Sequence, residues 1–433
     1  MSYDHLPVYL KPCFLYMGVF EEDEEIGISK LIKLWADEVF LKPIDGKSLR
    51  TIGKEYLKEL VDRNLILVHM LGSTGNIKQV KAHDLVRDLS VNQGKKEGFY
   101  HIVGESSAGG IKSHRRIVIR RKTSKEKVTD DLKSMSHARS IIYMHGIVPR
   151  CLDFGLLRTM QAYAYFGFQH VNLRHLADSY VEHYPSSFSS ANDLWNLQTL
   201  IIPHIPLSIE FPKFWEMPQL RHIDMAFVPP DPSSDAVVME NLLVLKGPLN
   251  FKWDEEAVKR FPNIKKLKLH YKGSKGMGCD DYYYLSNIEC FCKLESLYIS
   301  CWYYHAGKVF PFQISFPQTL KSLTLLMNSS FGWGTMLETL GSLPHLEKLK
   351  LLHGCFGTGK WEICEGQFPC LKYLELCKWD GLKNWTAEAS TIFPCLEKLH
   401  LTRMEELENI PSKIGDIPYR LSKIYGYIIV VNQ

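Results

Sequence analysis

The feature that most constrains this chain is a hexad, L-x-x-L-x-L with aliphatic substitutions, repeated along most of its length. Clear copies start at Leu197, Leu220, Ile264, Leu294, Leu320, Leu346, Leu371 and Leu396, and weaker ones at His114, Ala138, Leu157, Leu173, Leu242 and Leu421. From Leu173 to Leu396 successive starts lie 24, 23, 22, 22, 30, 26, 26, 25 and 25 residues apart, close to the period of about 20 to 29 residues of leucine-rich repeats. The last two apolar residues of each hexad stand two apart, so on a strand they share one face while their neighbours share the other. One repeat cannot bury its own leucines; stacked repeats can, and the pattern predicts an α/β leucine-rich-repeat solenoid with a parallel sheet along its concave side. Prolines just ahead of the strands (Pro218, Pro262, Pro344, Pro369 and Pro394) suit turns into the sheet and would interrupt any array of Leu-rich helices.

Two places are irregular. Only 16 residues separate the starts at Leu157 and Leu173, so a turn is expected to be missing there. At the far end "YGYIIVVNQ" reads as an apolar strand without the polar cap that a solenoid terminus requires.

Residues 1–105 have a different texture. Helical periodicity in "LPVYLKPCFLYMGVF", "ISKLIKLWADEVF" and "LRTIGKEYLKELVDRNL" predicts three helices. "LILVHML", the turn-prone "GSTGN" and "IKQVKAHD" follow and read as a β-hairpin, so this part is a small helical winged-helix domain. "HDLVRDLS" then starts a short helix, with Asp84 near its positive end. The expected division is 1–105 for this domain and 106–433 for the solenoid.

With 45% apolar and 23% charged residues the composition is that of an ordinary globular protein. No apolar run approaches the roughly 18 residues of a spanning helix, and Cys13–Phe20 lacks the flanks and cleavage site of a secretory signal. The eleven cysteines are odd in number and scattered, which fits reduced thiols. Cys370 and Cys395 fall at equivalent places in two "FPCL" segments and are expected to be packing thiols, and no spacing suggests a metal site.

The segments "LPVYLKPCFLYMGVFEEDEEI", "LIKLWADEVF", "YLKELVDRNLI" and "AHDLVRDL" resemble the last subdomain of the plant nucleotide-binding, leucine-rich-repeat disease resistance proteins, in particular the late-blight-resistance-like group. "VNLRHL", "LWNLQTL" and "IPSKIGDIP" resemble the repeats of the same group, so the likeness spans nearly the whole chain. It implies a cytoplasmic immune receptor, or a fragment of one, that works by protein–protein recognition and autoinhibition in the defence response. It also implies that "AHD", with His83 and Asp84, corresponds to the motif that holds ADP in the resting state; Ala82 stands where the family has Met or Val. The chain has no G-x-x-x-x-G-K-[ST] loop, and at "DGKS" Leu41 stands where the first glycine would be. The expectation is therefore a chain that corresponds to the part after the family's ATP-binding region and by itself neither hydrolyses ATP nor holds ADP.

The implied partner is a protein: a pathogen effector, a guarded host protein, or the receptor's own nucleotide-binding module. Candidate contacts are Lys266, Lys268, Tyr298, Lys350, Tyr373 and Glu375, on or beside the strand face opposite the leucines, together with Trp302 and Tyr303, which open an aromatic cluster just past a strand. Three other classes fit the sequence less well. A nucleic-acid-binding winged helix needs a basic surface, but residues 1–48 hold nine acids against five bases. The basic run Lys112–Lys127 instead coincides with the first repeat strand, with Ile117 and Ile119 as its apolar pair. A secreted repeat protein is suggested only by short sequons at Asn328 and Asn384, and an enzyme by no recognisable motif.

Overall fold

A computed structural model of the chain describes residues 3–72, 75–82, 84–105, 114–120, 123–143, 155–162, 172–178, 194–202, 217–227, 237–272, 283–302, 314–327, 331–387, 393–411 and 427–431. The chain forms two compact units, Met1–Met225 and Ala226–Gln433.

The first unit opens with α1 (Lys11–Leu15), β1 (Ile26–Gly27), α2 (Ile28–Asp37), α3 (Leu49–Asp62), β2 (Leu67–Leu71), β3 (Ile77–Lys81) and α4 (Asp84–Lys96). The first predicted helix is broken: α1 covers five residues and passes into a 3-10 turn at Tyr16–Val19. Pro12 sits in its first turn, where its missing N–H costs no helical hydrogen bond. At Gly18 a Cβ would lie 2.3 Å from the Tyr100 hydroxyl, so the turn is pressed against its neighbour. Ser90 on α4 completes the join, accepting from the Gly18 amide at 3.0 Å and donating to the carbonyls of Phe14 and Leu15. α3 is started by Ser48, whose hydroxyl accepts from the Thr51 amide at 3.1 Å, and buries Ile52, Tyr56, Leu57 and Leu60 along one face. The hairpin β2–β3 forms as predicted, and β1 adds a third strand, in the order β1-β3-β2.

Repeat strands begin one step earlier than the hexads suggested. β4 (His101–Ile102) pairs in parallel with β5 (Arg116–Ile119), and α5 (Lys125–Ser134) follows. The ladder continues through β6 (Ser140–Tyr143), β7 (Thr159–Ala162), β8 (His175–Asp178), β9 (Thr199–Ile202) and β10 (His222–Phe227), each parallel to the last. The short spacing after Leu157 does not upset the register, since Thr159 still pairs with His175 and Met160 with Leu176. Only the connection is shortened, because in-register pairing needs the strand alone.

The second unit contains β11 (Val244–Leu249), α6 (Glu255–Lys259), β12 (Lys266–Lys272), β13 (Ser296–Trp302), β14 (Ser322–Leu326), α7 (Gly334–Gly341), β15 (Lys348–Cys355), β16 (Lys360–Ile363), β17 (Tyr373–Asp380), β18 (Asn384–Ala387), β19 (Lys398–Thr402) and β20 (Tyr427–Val431). Strands β11 to β15, then β17 and β19, run parallel. Their aliphatic rows are continuous: Leu267, Leu297, Leu323, Leu349, Leu374 and Leu399 stack in one, Leu269, Ile299, Leu325, Leu351, Leu376 and Leu401 in the other, all buried. β20 runs antiparallel to β19, so the terminal apolar segment is a reversed closing strand and not a further repeat. A second, two-stranded sheet joins β16 to β18, with Trp361 stacked on Trp385 at 4.8 Å. The packing thiols expected at Cys370 and Cys395 are corrected here: Cys395 is exposed and Cys370 only partly covered. The buried residues of those segments are Phe368 and Phe393, whose rings lie 5.3 Å apart.

Candidate functional site

Side chains between the leucines point to the opposite strand face, and the register sorts them into rows. In the second unit one row runs Lys266, Ser296, Ser322, Lys348, Tyr373, Lys398, and the next runs Lys268, Tyr298, Thr324, Lys350, Glu375, His400. The structure therefore brings six of the eight sequence-selected contact residues onto one face. The Lys268 ammonium lies 4.9 Å from the Tyr298 ring, whose hydroxyl is pushed up by burial. His270 donates to or accepts from the Ser300 hydroxyl at 3.0 Å.

Tyr373 corrects the expectation of a solvent-facing ring. It sits on that face but is only 5% exposed, covered by Lys348 and Lys350, whose ammoniums lie 5.2 and 5.4 Å from its centroid. His400 flanks it at 5.1 Å. Its hydroxyl donates to Glu375 at 2.8 Å, and Lys350 forms an ion pair with the same carboxylate. Burial alone would push the Glu375 carboxyl up; the hydrogen bonds from Lys350 and Tyr373 outweigh it and hold the group below its ordinary value. The five residues thus form a connected cluster, with the Tyr373 ring as its floor and Lys350 and Glu375 at its rim. Trp302 ends β13, but its side chain lies outside the described residues, as does all of Tyr303.

In the first unit the equivalent face is covered. Val118 and Ile142, on the side the alternation leaves for solvent, are fully buried in one apolar core with Tyr16, Phe20, Trp35 and Tyr100 of the winged-helix part. The adjoining row Arg116, Ser140, Thr159, His175, Thr199, His222 meets α2. Glu38 accepts from Arg116 Nε at 2.6 Å, Asp37 meets His175 Nδ1 at 2.6 Å, and Lys33 reaches His222 Nε2 at 2.8 Å. Asp37 and His175 are 138 positions apart in the chain, and no local sequence pattern joins them.

Of the nucleotide-motif residues, His83 lies outside the described residues. Asp84 is exposed and begins α4, as the sequence predicted. Among the described residues no helix is long and apolar enough to cross a membrane.

A winged-helix part packed on the first strands of a parallel repeat ladder defines the class: a leucine-rich-repeat protein with a winged-helix domain ahead of its repeats. Comparison with known proteins says which proteins it is similar to. Residues 19–90 match the disease resistance protein winged helix domain. The chain is 31% identical to the putative late blight resistance protein homolog R1B-16 of Solanum demissum, over 87% of this chain and 31% of that protein. It is 29% identical to late blight resistance protein R1-A of the same species, over 87% of this chain and 32% of that protein. The chain is similar over 87% of its length to plant disease resistance proteins of the late-blight-resistance group and matches their winged helix domain at residues 19–90, and it spans about a third of the length of the curated relatives it matches.

Proposed function

We propose that this chain acts in plant defence as a recognition and autoinhibition part of a cytoplasmic resistance protein, gripping a protein partner with the strand face of its second unit. The partner is a pathogen effector, a guarded host protein, or the nucleotide-binding module of the receptor. The observation that carries this reading is the contrast between the two strand faces. In the first unit the face is sealed by the winged helix, whereas in the second Lys266, Lys268, Tyr298, Lys350, Glu375 and His400 form in-register rows that are only partly covered. Aromatic residues under charged side chains are the usual anchors of protein interfaces.

The clamp of α2 on the repeats supports the autoinhibitory half of the reading, since it ties the winged helix to the array through three separate polar contacts. The wing strand β2 exposes Leu67, Val68, Met70 and Leu71 on a sheet edge, a surface suited to another module of the receptor. For ADP the residues present do not make a site: the chain lacks a phosphate-binding loop, and Asp84 stands exposed at a helix start. His83 and Asp84 would serve only where a nucleotide-binding part is supplied.

The test is complementation in a plant line lacking the gene and challenged with the late blight pathogen. The wild-type chain, within its receptor, should lower pathogen growth, and the triple variant Lys268→Glu, Tyr298→Ala, Lys350→Glu should fail to do so while keeping its circular dichroism. Full complementation by the triple variant would overturn the assignment of this face.

A further inference from the structure

The first x of each hexad precedes the strand and stacks along one edge of its sheet, joined rung to rung by backbone hydrogen bonds. In the second unit this column reads Lys265, Glu295, Lys321, Glu347, Lys372, Glu397, linked by amide-to-carbonyl bonds of 2.8 to 2.9 Å. The signs alternate, so each charge has opposite neighbours; Lys372 and Glu347, for example, lie 3.4 Å apart. In the first unit the same column reads Arg115, Arg139, Arg158, Arg174, with rungs of 2.7 Å between them. Here every neighbour is a like charge at the strand spacing of about 4.8 Å. None of these four guanidiniums has an ion pair or side-chain hydrogen bond among the described residues. Burial holds the Arg158 guanidinium below its ordinary value, and Arg139 and Arg174 on either side add to the effect.

Beside the column lies a cavity of about 120 Å³ lined by Asp37, Glu38, Arg115, Arg116, Arg139, Arg158 and Thr159. The two acids offset the column only in part, since Asp37 is shared with His175 and Glu38 with Arg116, each at 2.6 Å. Thr159, which lines this space, is 1% exposed, and its hydroxyl has no hydrogen-bond partner among the described residues. A buried hydroxyl left unpaired beside stacked, unpaired guanidiniums is a costly arrangement for an empty surface and a suitable one for an anion.

We propose that the Arg115–Arg139–Arg158–Arg174 column and Thr159 bind a small polyphosphate anion. One phosphate group would sit in the cavity, accepting from the Thr159 hydroxyl and from Arg139 and Arg158, with further phosphates reaching Arg115 or Arg174 along the column. Planar guanidiniums hold phosphate oxygens in pairs, which a lysine column would not do. The Glu38 carboxylate oxygen without a partner suits the P–OH of a monoprotonated phosphate. The volume of about 120 Å³, lined on one side by Asp37 and Glu38 at the end of α2, suits a compact anion.

The experiment is calorimetric titration of the whole chain with inorganic tripolyphosphate, and separately with orthophosphate, at constant ionic strength. Saturable binding at one site is expected, tighter for tripolyphosphate than for orthophosphate. The variant Arg139→Gln/Arg158→Gln should weaken it at least about tenfold, through loss of charge-assisted pairs, and Thr159→Val severalfold. The control Lys265→Gln/Lys321→Gln, at the same hexad position in the alternating column, should bind as wild type. Thermal unfolding in buffer checks that each variant folds; relief of like-charge repulsion should leave the arginine variants at least as stable as wild type. No saturable binding, equal binding by the arginine variants, or equal loss in the lysine control would each overturn the proposal. A failure here leaves the protein-binding face of the second unit untouched, because that reading uses none of these residues.

Discussion

Breaking the Asp37–His175 pair should cost far more than its exposed counterparts. The side chains are 6% and 3% exposed and meet at 2.6 Å. Removing one partner leaves the other buried without its hydrogen bond, which costs about 1–3 kcal/mol. The two partners are not equivalent. Asp37 also lines the cavity with Arg115, Arg139 and Arg158, so Asp37→Ala removes a carboxylate from beside these arginines as well as from His175. It belongs at about 3 kcal/mol on that scale, whereas His175→Ala leaves Asp37 with the arginine field as partial compensation and belongs at about 1 kcal/mol. The double variant should fall short of the sum by about 1 kcal/mol, the coupling expected for residues in contact. Urea unfolding read as the difference in fluorescence between chains with and without a Trp35→Phe substitution isolates the fully buried Trp35, two residues before Asp37. Additive single effects, or an Asp37→Ala cost below about 1 kcal/mol, would refute the claim that this contact clamps the winged helix to the repeats.

Other consequences follow from separate parts of the structure. At Gly53 a Cβ would meet Ile32 Cγ2 at 2.5 Å where α2 crosses α3, so Gly53→Val should destabilise by about 1–3 kcal/mol through overpacking, measurable as a lower Tm. Trp379 is 1% exposed and lies between Trp333 at 5.4 Å and Trp361 at 5.7 Å, so Trp379→Ala should cost about 3–5 kcal/mol in denaturant unfolding of the second unit. Because the Glu375 carboxyl is held below its ordinary value of 4.5 in the fold, its contribution is fully present above that pH and lost as pH falls through the lower folded value. Glu375→Gln should flatten the acid limb of the stability profile below about pH 5, and an unchanged limb would count against the cluster. His400 is depressed by burial, with Lys350 and Lys398 adding to it, so the unfolded chain takes up its proton first and stability should drop as pH falls below the ordinary value of 6.5; His400→Gln should remove that part.

The aliphatic rows needed nothing beyond the sequence. A leucine at every second strand position, returning every 22 to 30 residues, has only one economical burial, over the leucine of the next repeat, and the observed registers follow it even where a repeat is 16 residues long. Most winged-helix elements were legible from local period, whereas the break in the first helix and strand β1 were not. The Lys268–Tyr298 and Lys350–Glu375 contacts were half legible: alternation put the residues on one face, and the register then decided which became neighbours.

Long-range choices belonged to the tertiary structure. Alternation assigns a side chain to a face but cannot say whether that face is wet, and in the first repeats α2 occupies it, burying Val118, Ile142, Ser140 and Thr159. Whether Tyr373 stands in solvent depended on two lysines of the neighbouring strand β15 folding over it. The Arg115–Arg174 column was present in the text of four hexads, but each arginine read singly is only a soluble edge residue. Parallel pairing sets them in file about 4.8 Å apart, and that spacing turns scattered charges into one strongly positive edge. Periodicity along the chain therefore determined the repeat and its core, because burial of identical rows is a nearest-neighbour problem. The covered face, the clamp and the charged edge came from contacts between residues dozens to more than a hundred positions apart, whose energies no local pattern contains.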